Sequence, residues 1–217
     1  MQFLRKWRRK LQKDAFYRHQ RGGARAAFIH INKCGGTSVE KALGIAKIHD
    51  TAQQRIALIG RDRWDAMYTF SIVRHPYSRI CSLYEFRVKT GQTGMGDRSI
   101  ALDDWIERVF ETKDPAYRNK PLMFAPCHEW LSDETGELLV DDWFRLEELD
   151  AHWPAIKART GAPGHLPHSN STSGFTVGRA LDRLSPASVS TLDRVFAADF
   201  EHFGYERQAA GDTPSAS

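Results

Sequence analysis

Five residues in a row of six, Lys33, Gly35, Gly36, Thr37 and Ser38, follow the short apolar run Phe28 to Ile31, and their types suit an anion. A buried strand that turns through glycines into a helix leaves the first N–H groups of that helix without partners. They sit at the positive end of the helix dipole, where phosphate and sulfate groups bind. Lys33 adds a full charge at that point. The lysine precedes the glycines, whereas the nucleotide-hydrolase loop places its Lys-Ser/Thr pair after Gly-x-x-x-x-Gly. The chain therefore carries an anion cradle of a different kind.

A second cluster follows the strongest predicted strand, Tyr68 to Val73. It consists of Arg74-His75-Pro76, with Ser82 further along. Arginine offers phosphate a planar fork of donors, and proline suits the first position of a helix. Two apolar strands that each run into a helix predict an α/β fold, a P-loop-like parallel sheet flanked by helices in a single domain. In such a sheet both strand ends open at the carboxyl edge, where ligands bind.

Composition sets the class. A chain of 217 residues with 41% hydrophobic and 27% charged residues can bury one substantial core. Its net charge of +4 is unevenly spread. Residues 1–21 hold eight Lys/Arg against Asp14 alone, a net of +7, which leaves the rest at about −3 and argues against nucleic acid as a partner. Three cysteines, Cys34, Cys81 and Cys127, form no C-x-x-C pair, which argues against a disulfide scaffold and a zinc ribbon and for a cytoplasmic home. No apolar run approaches the ~18 residues that span a bilayer.

The remaining elements must position these clusters. Residues 1–21 read as a basic amphipathic helix, with Phe3, Leu4, Trp7 and Leu11 at helical spacing. That pattern suits an anionic membrane surface, or docking on the domain or on a second subunit. The domain itself is expected over 22–207, with a disordered tail over 208–217. A strand is expected over Ala26 to Ile31, a helix over Ser38 to Leu43, and a capping box at Thr51 to Gln54. Lys89 to Asp97 reads as a loop and candidate lid, and Trp130-Leu131 with Leu138 to Val140 as a small hairpin. A strand over Asp142 to Leu146, a helix over Glu147 to Thr160 and a helix starting at Ser185-Pro186 complete the reading.

The two clusters together resemble the sulfotransferases that use 3′-phosphoadenosine 5′-phosphosulfate, particularly the carbohydrate-type branch. In that family Pro-Lys-Thr/Cys-Gly-Gly-Thr-Ser holds the 5′-phosphosulfate, and Val-Arg-x-Pro with a later serine holds the 3′-phosphate. The resemblance assigns Lys33, Cys34, Gly35, Gly36, Thr37 and Ser38 to the first task, and Arg74 and Ser82 to the second. Asn32 replaces the usual proline. The likeness continues through Phe144 to Glu147, Leu166 to Asn170 and Asp199 to Tyr205, so it covers about residues 26–205.

The resemblance implies sulfuryl transfer to a hydroxyl of a carbohydrate or glycolipid, with no metal. Alternatives are a non-carbohydrate small molecule or lipid acceptor, a non-catalytic nucleotide-binding protein, or a kinase-like protein. The last would need a lysine after the glycines and a magnesium carboxylate, and neither is present in the motifs. Family members often carry a histidine between the two motifs that deprotonates the acceptor, and His49 is that residue here. Its ordinary pKa near 6.5 suits a general base. The competing role is helix capping, in which case Glu85, Glu129 or His168 takes the task. His168 and Asn170 are assigned to the nucleotide or acceptor pocket, with Ser169 and Ser171 near them. Cys34 is either a reactive thiol or a small packing residue.

Overall fold

A computed structural model describes residues 2–96, 99–167 and 176–208, with side chains left aside at 2–6 and 9. In chain order the elements are α1 (Gln2–Gly22), β1 (Ala26–Ile29), α2 (Gly36–Leu43), α3 (Ala52–Ile59), α4 (Arg61–Asp65), β2 (Tyr68–Val73) and α5 (Pro76–Thr90). There follow α6 (Leu102–Ile106), α7 (Cys127–Leu131), β3 (Asp142–Arg145), α8 (Leu149–Thr160), α9 (Val177–Leu181), α10 (Pro186–Val195) and α11 (Ala197–Phe203). The chain forms two compact units, Met1–Val73 with Glu129–Ser169, and Arg74–His128 with Asn170–Ser217.

The first unit holds the α/β sheet. Its order is β1-β2-β3, all parallel, with Ala26 opposite Tyr68 and Phe70 opposite Asp142. β2 is central and almost wholly buried, as its run of apolar residues predicts. Its two buried hydroxyls are both met: Ser71 donates to the Ile29 carbonyl at 2.8 Å and Thr69 to Asp141 Oδ2 at 2.9 Å. β1 stops at Ile29, two residues before the expected end, because His30 and Ile31 already leave the ladder to begin the turn. Ile45 to Ile48 forms no strand. The capping box is complete: Thr51 accepts from the Gln54 amide and Gln54 from the Thr51 amide, each at 3.1 Å.

The hairpin expected around Asp133 is reduced to one antiparallel bridge, Ser132 with Leu138, and Trp130 and Leu131 belong to α7. Asp133 Oδ1 instead gathers the turn, accepting from the amides of Thr135 and Glu137 at 2.8 and 3.1 Å. A 3-10 turn, Leu146–Glu148, delays α8 to Leu149, and Pro154 lies inside that helix.

The second unit packs Tyr77, Ile80, Trp105, Phe124, Leu192, Phe196 and Phe200 into one apolar core. α5 begins at Pro76 and α10 at Pro186, and Ser185 caps α10 by accepting from the Ser188 amide at 3.2 Å. α6 continues as a π-helical turn over Glu107–Glu111, which lets Val109 and Phe110 both point into the core. The candidate lid is tied down as far as it is described. Met95 is fully buried, and the guanidinium of Arg87 donates to Thr93 Oγ1 at 2.5 Å and Asn119 Oδ1 at 3.1 Å. Asp199, buried, accepts from the amides of Cys127 and His128, both at 2.8 Å, and so caps the start of α7. The tail expected from Gln208 begins with an amide that donates to the Tyr77 hydroxyl at 3.2 Å, and its later residues lie outside the described ones.

In the first unit a charged knot holds α1 against α3. The Arg55 side chain is wholly buried, with its guanidinium 4.6 Å from the Phe16 ring centre and Nε 3.4 Å from Asp50 Oδ2. Tyr17 donates its hydroxyl to the same carboxylate, and burial followed by that bond raises its pKa. Asp50 is therefore the counter-charge of a buried cation. Removing one member of such a pair costs about 3–5 kcal/mol. Asp50→Ala is expected to lower stability by about that amount in urea unfolding. An unchanged midpoint would show that Gln20 and the Phe16 ring satisfy Arg55 without the carboxylate.

Candidate active site

The turn after β1 reverses through two left-handed residues, Lys33 at φ 67° and Gly35 at φ 75°. Glycine takes that conformation freely, but a lysine there is strained, and such strain gathers at functional turns. Gly36 opens α2 under a harder constraint. A Cβ at this position would overlap the His30 imidazole, and one at Gly35 would overlap Leu146 just beyond β3. Gly36 is thus required by packing against the ring, and Gly35 by its left-handed backbone. Cys34 is buried and its thiol donates to the Asn32 carbonyl at 3.6 Å, a packing role. Ser38 is also buried, and its amide donates to the Gly35 carbonyl at 3.0 Å. The amides of Gly36 and Thr37 are the ones that helix geometry leaves without an intrahelical acceptor.

Behind this loop lies a cluster that spacing did not reveal. His30 Nδ1 donates to Glu40 Oε1 at 2.6 Å, and both side chains are buried. Glu40 comes from α2, so the pair ties the strand end to the helix that opens the cradle. His49 packs its ring 4.3 Å from that of His30 and 6.3 Å from that of Trp130. Its Nδ1 donates to the His30 carbonyl at 2.9 Å, which leaves the lone pair on Nε2. Lys47, also unforeseen, reaches Thr37 Oγ1 at 3.4 Å and brings a further positive charge to the cradle. Burial, then the charge of His30, lowers the His49 pKa to about 4, while its bond to the His30 carbonyl works the other way.

The second unit carries the other cluster. Arg74 is buried and its Nε donates to Ser78 Oγ at 3.1 Å, while Ser78 in turn donates to the His75 carbonyl at 3.1 Å. Ser82 is buried one turn further along α5. Arg74, Ser78 and Ser82 recur every four residues, and that spacing is the signal by which Ser78 was legible and missed. His75 turns its Nε2 to the Glu206 carbonyl at 3.1 Å.

The other candidates divide. Glu85 pairs with Arg183 at 2.5 Å, and Glu129 is exposed. Asn170, His168, Ser169 and Ser171 lie outside the described residues. Trp105, Trp130 and Trp153 are buried, and Trp143 is half-buried. Among the described residues no group of three or more His, Cys, Asp or Glu is placed to hold a metal ion.

The depressed pKa of His49 has a signed consequence. Between about pH 4 and 6.5 the unfolded chain binds a proton at His49 that the folded chain does not, so this residue's contribution to stability is present above 6.5 and lost as the pH falls. An NMR titration is expected to show the His49 ring protonating near pH 4. A midpoint at the ordinary histidine value would contradict the buried, hydrogen-bonded placement.

No curated protein and no solved structure matches the chain significantly. The model of the sulfotransferase family matches residues 24–206, a span that includes the cradle, the His30–Glu40 pair, His49 and the Arg74 cluster. With that span covering most of its length, the chain belongs to the sulfotransferase family.

Proposed function

We propose that the protein transfers a sulfuryl group from 3′-phosphoadenosine 5′-phosphosulfate to a hydroxyl of a carbohydrate or glycolipid. The observation that carries this reading is the cradle after β1, where Lys33 and Gly35, both left-handed, and Gly36, held by packing, present the start of α2. That donor set is cationic and amide-rich and fits a phosphosulfate. Lys33 and the amides of Gly36 and Thr37 hold the 5′ end, with Gly35, Cys34 and Ser38 shaping the loop. Arg74, with Ser78 and Ser82 on α5, takes the 3′-phosphate. Asn170 remains assigned to the nucleotide pocket.

The donor supplies an activated sulfur–oxygen bond. The chain's own tasks are to remove the acceptor proton and to stabilise the charge that grows on the departing phosphate. His49 Nε2 accepts the proton as the acceptor oxygen bonds to sulfur. The bond to the phosphate oxygen breaks and its electrons stay with that oxygen, near Lys33. In the free protein His49 is unprotonated but weakly basic, with a pKa of about 4. Negative charge bound beside it favours the imidazolium and moves its pKa upward, toward the range in which a base works best. Glu40 orients His30, and His30 both packs on Gly36 and fixes the His49 tautomer through its carbonyl.

The three cysteines are buried thiols without disulfides, which supports a reducing, cytoplasmic compartment. Among the described residues no helix is long and apolar enough to cross a membrane.

Mass spectrometry of glycans and glycolipids after incubation with donor and protein is expected to show a new sulfate ester. A chain that binds the nucleotide but modifies no hydroxyl compound would support a non-catalytic role instead. Lys33→Ala is expected to reduce turnover about 100- to 1,000-fold, with a smaller loss of donor binding, because its charge matters most as the phosphate departs. Arg74→Ala is expected to weaken the 3′,5′-bisphosphate product by about 10- to 100-fold in calorimetry, the worth of one charged hydrogen bond. An unchanged affinity would remove Arg74 from the nucleotide site.

A further inference from the structure

Helix α1 has two faces that serve different ends. Phe16 and Gln20 are 7% and 2% exposed and belong to the face packed toward Arg55, whereas Trp7 and Leu11 are 56% and 46% exposed. Trp7 precedes Phe16 by nine residues, and Leu11 precedes Gln20 by nine, which is about two and a half turns at 3.6 residues per turn. The exposed apolar pair thus stands on the side of the helix opposite its docked side. The apolar stripe at the start of α1 does not continue the docking face.

The charge around that pair is predominantly positive. Residues 2–13 hold six Lys/Arg and no acid, and Arg8 and Lys10, both exposed, flank the line through Trp7 and Leu11 on either side. Arg18, exposed, lies on the same line, and so does Asp14, the one acid of the helix, three residues after Leu11. α1 also precedes residue 24, so the sulfotransferase family match does not account for it. A second copy of this chain is a poor occupant, because it would bring the same Arg8, Lys10 and Arg18 to the contact. An apolar pair with an aromatic ring, bordered by cations, is the pattern of a helix lying at a lipid surface, with the ring at headgroup depth and the cations on anionic lipid. We propose that α1 docks the protein on an anionic membrane surface through Trp7 and Leu11, with Arg8 and Lys10 beside them.

Co-sedimentation of the 217-residue chain with vesicles tests this assignment. Binding is expected with vesicles of phosphatidylserine in phosphatidylcholine, with little on phosphatidylcholine alone, and is expected to weaken as salt is raised. Arg8→Gln with Lys10→Gln is expected to reduce vesicle affinity about 30-fold, and Trp7→Ser with Leu11→Ser about tenfold. All four positions are exposed, so circular dichroism and thermal unfolding of the variants are expected to match the parent chain. Equal binding to neutral vesicles, or no binding to either, overturns the proposal. Affinity that survives the Trp7 and Leu11 changes but falls with the Arg8 and Lys10 changes overturns it too, since that pattern marks a general polyanion arm. Concentration-dependent dimers abolished by the Trp7 change, without vesicle binding, would assign the face to a second copy.

Discussion

The space between the His30 ring and the backbone of Gly36 is the constraint on which the first unit's chemistry depends. The ring occupies the place that any side chain at residue 36 would need, so the turn after β1 has one way to pass. Glu40 holds the ring from below at 2.6 Å, and the His30 carbonyl holds His49 from the other side at 2.9 Å. One buried residue thereby sets the close approach of the turn, the helix that it opens and the tautomer of His49. A carboxylate and an imidazole buried together are tolerable because each meets a hydrogen-bond partner.

The same economy shapes the second cluster. Arg74 is buried beside Ser78, a hydroxyl that is itself tied to the His75 carbonyl. A long cationic side chain loses much conformational freedom when it is buried, and its hydrogen bond offsets part of that loss. The guanidinium is thus held at Nε by a neutral hydroxyl.

Local chemistry made much of the architecture legible. Pro76 and Ser185-Pro186 mark helix starts because proline needs no amide partner there, and Thr51 with Gln54 completes a box within four residues. β2 was readable from its β-branched and aromatic residues, Tyr68, Thr69, Phe70, Ile72 and Val73. The failures involve partners distant in sequence. Trp130 sits in a helix rather than a hairpin, and the start of that helix is capped by Asp199, about seventy residues on, which no local pattern signals. Glu40 and Lys47 looked like ordinary surface charges, and His30 like part of a strand. Only the turn brings them together. Arg87 shows the opposite limit: its burial among hydroxyl, amide and carbonyl groups is invisible in composition.

Each compact unit is assembled from two separate stretches of chain, and the stretches alternate. During synthesis this imposes an order. β1 and β2 can pair once the first seventy or so residues have emerged, but the sheet keeps an open edge until β3 is made. The amides of Cys127 and His128 wait longer, because their acceptor Asp199 arrives near the end. The first unit therefore closes only when residues 129–169 have been made, and the second only when the rest of the chain follows. A chain wired in this way resists division into independently folding fragments, even though its chemistry is carried by short, local motifs.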